Sequence, residues 1–153
     1  MTQHLIETWD IHNRINLYLL NAIKEEHLAD VSASKGRNVA EQFAHIHNVR
    51  LMWLKAANPN LLMGQTKIEK DPKPSKKLLS TELIKSARAI ASLLDNGFKE
   101  GKIKGFKPHP AGFFGYLVSH ESHHRGQIML TLKQSGHAVN QKIQYGLWEW
   151  GSR

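Results

Sequence analysis

The sequence predicts an all-α protein, a four-helix bundle formed by a single domain over residues 1–153, and three observations predict it. Apolar residues recur at three- and four-residue spacing in four segments, which is the period of a helix with one buried face. No alternating run is long enough to argue for a sheet. Residues suited to helix ends punctuate the segments, and a chain of this length can bury a helical core without disulfides.

The first helix is expected from Thr2 to His27, where Leu5, Trp9, His12, Asn16, Leu19, Leu20 and Ile23 share a face that is apolar at both ends and polar in the middle. The second opens at Asn38, with Glu41 placed to complete a capping box, and should end near Asn58-Pro59. A connector from Pro59 to about Leu79 follows, broken by Gly64, Pro72 and Pro74. Its length means that it either packs over the bundle or covers a site, and the pattern does not choose. Ser80 is the expected N-cap of the third helix, with Glu82 in the first turn. Leu83, Ala87, Ile90, Leu94 and Phe98 form the stripe, and the helix should stop near Gly97 or Gly101. The fourth starts at Pro110, whose missing N–H suits the first helical position, and ends at Gly136. Tyr145, Trp148 and Trp150 in the tail are expected to pack back on the bundle.

A formal net charge of +8 and a pI near 9.8 raise the question of acidic partners. The lysines gather in two connector-like stretches, Lys67 to Lys77 and Lys99 to Lys107, with no interleaved aromatic platform in the first, which argues against nucleic acid. The start Met-Thr-Gln-His-Leu-Ile-Glu is not a basic segment leading into an apolar one, and no apolar run approaches membrane-spanning length. The expectation is a soluble, cytoplasmic protein without nucleic-acid or membrane partners. With no cysteine, any metal must be held by nitrogen or oxygen donors.

Histidine is the donor in supply. His120 and His124 lie four apart on the fourth helix, so their rings meet on one face, along the line Phe113, Leu117, His120, His124, Ile128. Two imidazoles in a core are costly unless paired, and a shared ion removes that cost. A third ligand should come from a facing helix, where His45 aligns with Val49 and Met52, and His47 with Phe43, Leu51 and Leu54. Periodicity leaves both candidates open. His123 is rotated away from the ligand line, and Glu121 is offset from it and receives no catalytic role. His12, in mid-stripe, is a candidate for lining the pocket or supporting a ligand. Gly126, which costs a helix about 1 kcal/mol relative to alanine, is expected to mark a close approach to the fourth helix, within the bundle or between two copies.

The stretch Ser119-His120-Glu121-Ser122-His123-His124-Arg125-Gly126-Gln127-Ile128 closely resembles the most distinctive motif of the DinB/YfiT-like family of metalloenzymes. Phe43-Ala44-His45-Ile46 through Trp53-Leu54 resembles the segment that gives that family its first ligand, with His45 at the ligand position. The Tyr145-Gly-Leu-Trp-Glu-Trp150 ending is also like that of some members. The resemblance implies a four-helix bundle, commonly a homodimer, with one divalent ion, zinc, nickel or iron, held by His45, His120 and His124. It also implies a metal-dependent enzyme with small-molecule substrates. Thiol-dependent transfer with a low-molecular-weight thiol is placed ahead of hydrolysis by analogy. The alternatives are a non-catalytic metal-binding stress-response protein and, behind it, a basic nucleic-acid-binding module.

Overall fold

The second, third and fourth long helices each have a boundary that the chemistry of a capping residue explains. The computed structural model describes residues 1–153, with α1 over Thr2–Ala22, α2 over Val39–Ala57, α3 over Lys76–Glu100, α4 over Pro110–Gln134 and a short α5 over Gln141–Gly146. Asn38 Oδ1 accepts from the Glu41 N–H at 2.8 Å while the Glu41 carboxylate accepts from the Asn38 N–H at 3.3 Å, the reciprocal capping box. Gly101 closes α3 with φ 75°, a left-handed turn that glycine adopts without strain. Pro110 opens α4, and His109 caps it, its Nδ1 accepting from the Gly112 N–H at 2.9 Å. No helix is long and apolar enough to cross a membrane.

Two helix boundaries and the packing of the tail differ from the sequence expectation. Helix α1 stops at Ala22 rather than continuing to His27, and the chain turns through extended Ile23 into a 3-10 turn over Glu25–Ala29. Both Ile23 and Leu28, on either side of the bend, lie in the core. Helix α3 starts at Lys76 rather than after Ser80, because Ser75 is the cap, its hydroxyl accepting from the Leu78 N–H at 3.1 Å. In the tail, Leu147 and Trp150 pack against the core and the Arg153 guanidinium covers the Tyr18 ring at 3.8 Å, but Tyr145 and Trp148 stay 63% and 80% exposed.

Helix α3 packs on α1 and α2, and α4 packs on the same two, so α1 and α2 face each other across the bundle with little direct backbone contact. The interior is divided. Ile15, Leu19, Phe43, Ile46, Leu83 and Ile128 belong to one apolar cluster, and Trp9, Leu54, Ile90, Leu94, Phe113 and Leu117 to another. Between them lies a belt of buried polar side chains: His12, Asn13, Asn16, His47, Arg50, Ser86 and Glu121.

The polar middle of α1 finds its explanation in that belt. Glu121 of α4 accepts from Arg50 Nε at 2.8 Å and Nη2 at 2.6 Å, from Asn16 Nδ2 at 3.0 Å and from His12 Nε2 at 3.0 Å. Arg50 also donates to Asn13 Oδ1 at 2.9 Å, to the Leu83 carbonyl at 2.9 Å and to Ser86 Oγ at 3.1 Å. A side chain as long as arginine is what the diagonal requires, since α2 must reach α1 across the bundle. Arg50 and Glu121 are both fully buried, and only a bidentate pair with its remaining donors and acceptors satisfied is tolerable there.

The connector packs over the bundle. Asn48 pairs with the Ile68 backbone in both directions at 2.9 Å, and Ile68 plugs into the core. His47 Nε2 donates to the Thr66 carbonyl at 2.7 Å. Residues 66–68 are thereby held beside α2.

Candidate metal centre

The imidazoles of His45, His120 and His124 come together on the α2–α4 face, with one nitrogen from each ring all within 4.8 Å of one another. His124 is buried, and His45 and His120 are half-buried. His124 Nδ1 donates to Gln42 Oε1 at 2.7 Å, so its Nε2 carries a lone pair, and that Nε2 stands 3.2 Å from His120 Nε2. Two nitrogens each about 2.1 Å from a tetrahedral ion are about 3.4 Å apart, so this pair already has the spacing of co-ligands. Gln42 fixes the ring and tautomer of His124 in the way that acceptors behind metal-bound histidines do. His120 Nδ1 is buried without a partner. The donor set, neutral nitrogens converging on one point, fits a divalent ion.

Protonation state agrees with that fit. Burial, then the neighbouring His120 and His45, push His124 down to about 4. Burial, then Arg37, then His120 hold His45 below its ordinary value, while burial is the main cause for His120, opposed by Glu121 and assisted by His123 and Arg37. All three rings are therefore free bases at neutral pH, the form that ligates.

The other candidates fall elsewhere. His47 is fully buried in the belt, its Nδ1 accepting from Ser86 Oγ at 3.0 Å and its Nε2 occupied by Thr66, and it is not part of the cluster. His123 is exposed. His12 pairs with Glu121, away from the three rings, instead of lining their pocket. The α4 stripe runs through Phe113, Leu117, Glu121, His124 and Ile128, so Glu121 takes the inward position that the spacing alone gave to His120. Pushed down to about 2 by the Arg50 guanidinium against the opposing effect of burial, Glu121 is a structural anion. For Gly126 the within-bundle alternative is corrected, because a Cβ there would meet nothing of its own chain within 4 Å, which leaves the contact between two copies. Gly126 borders an open cleft of about 340 Å³ with Ser122, Met129, Trp148 and Trp150. Gln42 was not singled out by the sequence reading, although its position three residues before His45 on one helix face was a usable signal.

The model of the DinB family matches residues 1–150. The chain belongs to the DinB family. A crystal structure of a DinB-like protein from Bacillus cereus ATCC 10987 superposes on this DinB chain with a TM-score of 0.70 at 21% identity, covering 90% of this chain and 95% of the other. That likeness establishes the DinB-like helical bundle and nothing about the reaction. No functionally curated protein matches the chain significantly.

Acid should loosen the metal-free protein in two stages of the same sign. His12, His45, His47, His120 and His124 are held below the ordinary 6.5, so below that pH the unfolded chain binds more protons and stability falls. Glu121, depressed from 4.5 to about 2, adds stability that is present above 4.5 and is lost toward 2. The urea midpoint of EDTA-treated protein is expected to decline from about pH 6.5 downward and more steeply below about 4.5. A midpoint that stays level from neutrality to pH 5 would contradict the buried neutral imidazoles.

Proposed function

We propose that His45, His120 and His124 hold one divalent ion and that the protein is a metal-dependent enzyme working through an open position at that ion. The observation that carries the reading is that the cluster contains three imidazoles and no carboxylate. Four-coordinate sites with three protein ligands are the catalytic kind, whereas structural sites are closed by four. When bound, the ion would lower the pKa of a coordinated water or thiol and so supply a nucleophile near neutral pH. The chain's own part is to keep three neutral nitrogens aimed at one point, with Gln42 setting the His124 tautomer and the polar belt holding α4 against α2. The chain has no cysteine, so a thiol must come from a cosubstrate; thiol transfer takes precedence over hydrolysis on family resemblance.

Protein purified without a tag is expected to contain about one equivalent of zinc, nickel or iron, and the cobalt-substituted form should show a visible spectrum that changes on adding a low-molecular-weight thiol. Metal content measured afterwards separates binding from stripping. Cobalt that stays bound while its spectrum ignores thiols and small anions would mean a closed, structural site.

A further inference from the structure

We propose that Arg37 anchors an anionic group of the substrate, so that the molecule acted on beside the three histidines carries a carboxylate or phosphate in addition to its reacting atom. The proposal rests on the metal-centre reading for the place of the reaction and extends it to a substrate class.

Arg37 lies just before the N-cap of α2, between two clefts. One, of about 260 Å³, is lined by Arg37, Glu41, His45, Lys67, Glu69 and Lys70, and so opens on a ring of the cluster. The other, of about 240 Å³, joins Arg37 to Gln42, the acceptor behind His124. The lysines of the first cleft are each matched, Lys67 with Glu69 at 3.5 Å and Lys70 with Glu41 at 3.7 Å. Arg37 has no carboxylate within salt-bridge distance and makes no hydrogen bond, and it shares the first cleft with His45.

Among the three neutral ligands built to receive a cation, His45 is the one on the Arg37 cleft. A divalent ion there has no anionic protein ligand, and an unmatched guanidinium adds repulsion. An anion spanning the two relieves both. The planar fork of arginine is suited to a carboxylate or phosphate, which it can grip with two parallel hydrogen bonds. The first cleft, of about 260 Å³, has room for a small molecule.

The test titrates cobalt-loaded protein with 3-mercaptopropionate and with 2-mercaptoethanol at constant ionic strength, following visible absorption and cobalt content. The anionic thiol should bind about five- to tenfold tighter, as expected for a partly screened charged contact. In Arg37→Gln that preference should vanish, with cobalt stoichiometry and the affinity for 2-mercaptoethanol unchanged. Equal affinities in the unaltered protein overturn the proposal, and so does a preference that survives in Arg37→Gln, which would place the carboxylate on the cobalt. If no cobalt binds at all, the metal-centre reading fails, and the anchor is then judged in metal-free protein by nitrogen-15 NMR with succinate. A saturable shift of the Arg37 Nε–H, absent with succinamide, upholds the anchor; no saturable shift removes it.

Discussion

Glu121→Ala is expected to destabilise the protein by about 3–5 kcal/mol, because it leaves the Arg50 guanidinium without its counter-charge in a belt from which water is excluded. Asn16 Nδ2 and His12 Nε2 lose their acceptor as well. The measurement is urea denaturation followed by circular dichroism, and a loss below about 1 kcal/mol would mean that the pair is solvated or rearranges freely. The double variant Glu121→Leu with Arg50→Met should lose less than Glu121→Ala alone, since removing both charges removes the desolvation cost with the attraction. Recovery should stay incomplete, because Asn13 and Ser86 would then lack the donors they now accept from.

The second large effect separates two histidines that lie two positions apart. His45→Ala and His124→Ala should each take the metal content from about one ion per chain to near none, while His47→Ala keeps the ion. His47→Ala should instead lower stability by about 1–3 kcal/mol, having left the Thr66 carbonyl without its donor and the Ser86 hydroxyl without its imidazole acceptor in a buried setting. Metal analysis after dialysis, paired with thermal melting, reads both quantities on the same samples. Retention in His45→Ala with loss in His47→Ala would refute the assignment.

Much of the fold was legible because local chemistry determines it. The Asn38–Glu41 capping box, Pro110 at the start of α4 and Gly101 at the end of α3 all act within a few residues and sit where the pattern placed them. Ser75 was missed in favour of Ser80, since both are serines ahead of helix-forming residues, and the hydrogen bond from Leu78 identifies Ser75 as the cap. The polar interruption of α1 was visible at His12 and Asn16, yet its partner was not, because it lies on another helix at a separation that no local pattern spans. The same limit explains His45 and His47. Periodicity ranks side chains by depth, whereas the cluster forms at the flank of the bundle, so the deeper histidine is the one outside it. Family resemblance, rather than spacing, favoured His45.

The salt bridge between Arg50 and Glu121 also governs alignment. An aliphatic interface tolerates one helix sliding past another, because each leucine or isoleucine can fill a neighbouring hollow. A bidentate charge pair has a single docking position. A slip of α4 by one turn, about 5.4 Å, would part Glu121 from Arg50 and in the same movement carry His120 and His124 away from His45. Since Glu121 directly follows His120 in the chain, the vernier mark that sets the two helices is cut into the same rung as the ligand it aligns.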